Sequence, residues 1–104
     1  MAYEVKLLSI AERDIDEICR YLSKFYPGTP GKFLDALEKD FENISHNPKM
    51  FPKYEYSNEY RKLAVKNFFV FYKIDEVNNL VTVYRVLHEK RNISTILEKL
   101  QVRE

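Results

Sequence analysis

Cysteine occurs once in this chain, glycine twice and tryptophan not at all. The lone Cys19 has no internal partner, so no disulfide framework is expected. With only Gly28 and Gly31, a glycine-rich loop that cradles phosphate is excluded. Long apolar runs are missing too, so nothing reaches the ~20 residues that cross a bilayer. The start of the chain has no basic segment followed by an apolar one, and no signal peptide is read there. His46 and His88 lie far apart, no Cys/His set has the spacing of a zinc site, and no serine stands in a nucleophile motif. These absences point to a cytoplasmic protein with no membrane partner, no metal and no cofactor.

What is present suits a small folded domain. The 104 residues suffice for one compact core and not for two, so residues 1–104 are read as a single domain. Eight tyrosines and seven phenylalanines supply that core generously. Net charge is only +1, which excludes a polyelectrolyte binder. The charge is nevertheless uneven. Residues 10–52 carry six Lys or Arg against eight Asp or Glu, and residues 53–104 carry ten against seven. Between 61 and 73 stand Arg61, Lys62, Lys66 and Lys73 with no acid. Such a stretch is either a face for an anionic partner or a solvated strand face.

Apolar periodicity gives the order of elements. "YEVKLL" (3–8) alternates as a short strand. "SIAE" then reads as a capping box, with Ser9 as cap and Glu12 reaching back. Ala11, Ile15, Ile18, Leu22 and Phe25 make one helical stripe, with Glu12, Asp16, Glu17 and Arg20 mostly off it. Cys19 beside the stripe reads as a small hydrophobe. "YPGTPGK" stops this helix, and Thr29 with Pro30 starts the next. Phe33, Leu34, Leu37, Phe41 and Ile44 repeat along it until Pro48, which disfavours helix at Asn47. His46 at its end is suited to interact with the last carbonyls. Residues 48–60 show no clean period. "RKLAVK", "FFVFYKI" and "LVTVYRVLH" are extended, and Asn78-Asn79 between the last two suits a turn with left-handed geometry. "NISTILEKLQ" is weakly amphipathic and predicts a short terminal helix. The expected class is α+β, in the order β-α-α-β-β-β plus a short C-terminal helix. A two-helix hairpin would cover a four-stranded, mainly antiparallel sheet.

The last strand carries the chemistry of interest. Strict alternation puts Val81, Val83, Arg85 and Leu87 on one face, and Tyr84, Val86 and His88 on the other. Apolar residues on both faces imply cover on both sides. Arg85 would then be half-buried and in need of an acceptor, as a structural ion pair or as part of a binding site. Lys90 and Arg91 extend the positive end of the strand.

"RKLAVKNFFVFYKID" and "LVTVYRVLHEKRN", in this order of elements, resemble the RelE/ParE superfamily of bacterial toxins. Tyr72 matches the tyrosine that ends one family strand. Val83, Leu87, His88 and Arg91 match a pattern of the Val-x-x-x-Val-x-His-x-x-Arg kind on the next. "NPKMFP" resembles the family's Asn-Pro loop. The likeness covers about residues 3–93. It implies a toxin held by a cognate antitoxin, in one of two arms. RelE-like members are ribosome-dependent nucleases that cut mRNA, which here would rest on Lys62, His88 and Arg91. ParE-like members act on DNA gyrase. Where the nuclease arm places a phosphate-binding arginine this chain has Phe69, and where it places a catalytic tyrosine it has Leu97. The match therefore favours the ParE-like arm, with Arg61, Lys62, Arg85, His88 and Arg91 converging on a target-binding site at the end of the meander. The nuclease, and a degenerate member that only binds its antitoxin, are the alternatives.

Overall fold

The computed structural model describes residues 2–25 and 27–103, apart from the side chains of Asn58, Gln101, Val102 and Arg103. Strand β1 (Glu4–Leu7) leads into helices α1 (Ser9–Leu22) and α2 (Thr29–His46). Strands β2 (Lys53–Tyr54), β3 (Ser57–Val65), β4 (Phe68–Asp75) and β5 (Leu80–His88) follow, then helix α3 (Ile93–Arg103). The class is α+β as expected. The sheet has five strands in the order β1-β5-β4-β3-β2, one more than periodicity showed, because β2 is only two residues long. Its pairing is antiparallel except where β1 runs parallel to β5. Among the described residues, no helix is long and apolar enough to cross a membrane.

Both expected helix caps differ from the sequence reading. The N–H of Leu8 donates to Val83 O at 3.0 Å, so the strand runs straight into the helix. Leu8 takes the cap position, and no side chain caps α1. Thr29 likewise falls inside α2, after Gly28. The far end of α2 is as expected, and Asn47 terminates it. At the β4–β5 turn the Asp75 carboxylate accepts from the Val77 and Asn78 amides at 3.1 Å and from Asn78 Nδ2 at 2.8 Å. Those bonds draw its carboxyl below the usual range. Asn79 closes the turn with φ of 50°, a left-handed conformation that asparagine tolerates.

The sheet is covered on both faces. The helical hairpin covers one, where Ala11, Ile18, Phe33, Leu37 and Ile44 meet Leu63, Val65, Phe68, Val70, Tyr72, Val81, Val83 and Val86. Helix α3 covers the other, where Ile93 and Leu97 meet Tyr54, Tyr60, Phe71 and Leu87. The amphipathic pattern of the tail thus serves a second core.

The alternation expected along β5 breaks in the middle. Tyr72 pairs with Val83, but Phe71 pairs with Arg85. Tyr84 is an extra residue, a β-bulge. Beyond it Val86 and His88 lie opposite Val70 and Phe68, while Arg85 and Leu87 lie opposite Phe71 and Phe69. The second half of the strand is therefore turned over relative to the sequence reading, and Leu87 belongs to the α3 core rather than sharing a face with Val81 and Val83.

Candidate functional site

Helix α1 and the end of β5 border an open cleft of about 350 Å³. Ile18, Tyr21, Phe68 and Val86 give it an apolar lining, and Glu17, His88 and Arg91 add charge and hydrogen-bonding groups. A tight turn explains the His-x-x-Arg spacing. The Arg91 N–H donates to His88 O at 3.0 Å, which brings the two side chains to one cleft. The Lys90 N–H donates to His88 Nδ1 at 3.1 Å, so a neutral imidazole carries its proton on Nε2. Its ring stands edge-on to Phe68, with centroids 5.2 Å apart. Such a pair can donate a hydrogen bond and a positive charge to an acceptor in the cleft.

Arg91 also borders a second hollow of about 320 Å³, shared with Lys62, Tyr54, Tyr56 and Phe69. Lys62 Nζ lies 4.5 Å from the centre of the Phe69 ring and 3.9 Å from Glu55 Oε1. Phe69, at the position where the nuclease pattern has arginine, thus supplies a cation–π surface for Lys62. Leu97, at the position of the catalytic tyrosine, is 2% exposed and fills the α3 core.

The remaining two candidates lie elsewhere, so the five do not converge as expected. Arg61 donates to Phe51 O at 2.7 Å and to Lys49 O at 3.3 Å. Across the strand pair, the Tyr72 hydroxyl donates to Pro48 O at 2.7 Å. Burial pushes the Tyr72 phenol up to about 12, against the opposing pull of Arg61. The Asn-Pro loop and the strand tyrosine are therefore parts of one latch, which satisfies loop carbonyls that would otherwise be stranded.

Arg85 faces Asp14 of α1. Its Nε donates to Asp14 Oδ2 at 2.7 Å and its Nη2 to Oδ1 at 2.8 Å, a two-pronged pair. The Val86 N–H adds a third bond to Oδ2 at 3.0 Å. This is the structural ion pair that the sequence left open. Asp14 was not singled out in the sequence reading. The signal was there: it lies three residues after Ala11 and four before Ile18, on the apolar stripe itself. Among the described residues it is the one buried charged side chain.

Comparison with known proteins agrees with this architecture. Residues 5–93 match the family model of the ParE toxin of the type II toxin–antitoxin system parDE. No curated protein matches the chain in sequence. Among solved structures, a chain of the chromosomal ParDE system from P. aeruginosa superposes with a TM-score of 0.71 at 12% identity, covering 84% of this chain and 96% of that one. A chain of the RelBE2 toxin–antitoxin complex from Mycobacterium tuberculosis gives 0.58 at 21%, covering 85% and 99%. The isolated E. coli RelE toxin gives 0.62 at 14%, covering 95% and 99%. These likenesses carry the fold, and the family match over residues 5–93 carries the membership: the chain belongs to the ParE toxins of type II toxin–antitoxin systems.

Proposed function

We propose that the protein is a ParE-like toxin that inhibits an essential cytoplasmic target, DNA gyrase being the candidate, through its surface rather than through nuclease chemistry. The observation that carries this reading is the fate of two side chains. Cleavage of RNA at a 2′-hydroxyl needs a proton acceptor, a leaving-group acid and dense positive charge around the phosphate. At the two informative positions Phe69 stacks under Lys62 and Leu97 is buried in the α3 core. Neither supplies charge or a proton. Arg91, His88 and Lys62, arranged around two adjoining hollows, are then target-binding groups.

A cognate antitoxin is the second partner in this proposal. Two of the similar structures described above belong to toxin–antitoxin systems. The hairpin also exposes Tyr21, Phe25 and Leu34 at 51%, 58% and 43%, apolar surface that a partner helix would cover. Controlled expression tests the target, with gyrase supercoiling and mRNA cleavage on translating ribosomes read in parallel. Lost supercoiling with intact mRNA is expected.

One observation favours the nuclease alternative. His88 and Arg91 share a cleft, and imidazole is the side chain best suited to move a proton near neutral pH. Cleavage in the decoding site that disappears in His88→Ala would replace the gyrase reading.

A further inference from the structure

We propose that the cleft between α1 and β5 takes an extended peptide of a partner protein, which pairs in parallel with the open edge of β5 at Val86 and His88. This rests on the reading above that the cleft binds a partner, and it names the kind of segment bound there.

The edge is open because β1 stops short. It pairs with β5 only as far as Val83, and the Leu8 N–H to Val83 O bond is the last rung before the chain turns into α1. Residues 84–88 therefore have β4 on one side and no strand on the other. The Val86 N–H points away from β4, to Asp14 Oδ2 at 3.0 Å. Along an antiparallel pair, a residue's N–H and C=O point to the same side, and that side alternates from residue to residue. The Val86 C=O and the His88 N–H thus also point away from β4. Among the described residues, neither has a hydrogen-bond partner.

An acceptor and a donor on either side of Leu87 are what one residue of a parallel strand uses. Its N–H donates to the first and its C=O accepts from the second. β1 pairs in this way, since the Glu4 N–H donates to Asn79 O, one residue before its partner Leu80. An antiparallel strand would need both groups of a single residue. Asp14 already takes the Val86 N–H, and the Arg91 N–H already takes the His88 C=O. The open edge therefore selects a parallel partner.

The cleft selects its side chains. The peptide residue after the one beside Leu87 lies next to His88 and faces α1. Ile18, Tyr21 and Phe68 give it an apolar seat there. Farther along stands Arg91, and among the described residues no carboxylate pairs with it. Glu17 on the α1 wall repels an acid placed at the apolar seat itself. The fitting segment has an apolar residue followed two places later by an acid.

The probe is the peptide acetyl-Val-Thr-Leu-Ser-Glu-amide, titrated to millimolar concentration into the isotope-labelled full chain and followed by NMR. Its threonine is placed beside Leu87, its leucine in the apolar seat and its glutamate at Arg91. The largest amide shift is expected at His88, with nuclear Overhauser contacts from the leucine methyls to Phe68. N-methylation of the threonine removes the donor to Val86 O and should weaken binding about tenfold. The leucine N–H points away from β5, so its N-methylation should change binding less than about twofold. Arg91→Ala, and lysine in place of the peptide's glutamate, should each weaken binding. Absence of binding at millimolar peptide overturns the proposal, and so do equal effects of the two methylations or shifts centred on Phe25 instead of His88. Self-association that protects the His88 amide without peptide would assign the edge to a second copy and overturn it too. Growth arrest and gyrase assays test the toxin reading separately. A toxic chain that ignores the peptide sinks this proposal alone, and a non-toxic chain that binds it leaves the pairing standing.

Discussion

Asp14–Arg85 and Lys49–Glu76 both tie the meander to the rest of the chain through a carboxylate and a cation, yet their surroundings are opposite. The side chains of Arg85 and Asp14 are 13% and 8% exposed, and those of Lys49 and Glu76 are 60% and 55%. Lys49 draws the Glu76 carboxyl below its ordinary range, but water screens that attraction and competes for both groups. At the α1–β5 junction water is largely excluded, and the carboxylate has three donors arranged around it. The presence of an ion pair is thus no measure of its worth by itself. Burial decides what is lost when one partner is removed.

Removing either half of the buried pair should therefore have the largest effect. Arg85→Ala or Asp14→Ala is expected to cost about 3–5 kcal/mol, because the survivor is left as an uncompensated charge. Urea unfolding would show this as a lower midpoint with an unchanged slope.

The second core gives the next test. Leu97→Ala should cost about 2–5 kcal/mol by opening a cavity against Tyr54, Phe71 and Leu87. A much smaller loss would mean that α3 is loosely docked and the second face of the sheet is less sealed than the first.

Tyr72→Phe should cost about 1–3 kcal/mol by stranding the Pro48 carbonyl. It should also change the alkaline profile. The phenol titrates near 10 when unfolded and at about 12 when folded, so between these values the folded state binds more protons and stability falls as pH rises. The stabilisation is fully present below pH 10 and is lost through about 12. Thermal melts over that range should fall less steeply for Tyr72→Phe than for the wild type.

Lys49→Ala marks the small end of the series. Its melting temperature should match the wild type within error, and a clear drop would show that the exposed pair anchors the loop after α2 alongside Arg61 and Tyr72.

Much of the fold was legible because it rests on local periodicity. The stripes of α1 and α2, the stop at Pro48, the turn at Asn78-Asn79 and the three extended runs all follow from residue spacing and backbone preference. The terminal helix showed the same kind of signal. The two-residue β2 did not, since so short a strand has no period and forms only because β3 passes beside it. The α1 cap was misplaced for a related reason: the hydrogen bond from Leu8 to Val83, far away in sequence, sets where α1 begins.

The candidate site was legible in composition and not in arrangement. The sequence by itself determined the basic character of the second half, the His88–Arg91 spacing and the absence of charge at Phe69 and Leu97, because these depend on residue identity alone. Only the tertiary structure decided that Arg61 holds a loop, that Arg85 is balanced by Asp14, and that His88 faces α1. Alternation along a strand assumes unbroken register, and a bulge beside which the Val86 N–H bonds a carboxylate seventy-two residues away leaves no mark in the local pattern. A contact between distant segments is selected by the free energy of the whole packed molecule, so residues at β5 alone could not reveal it.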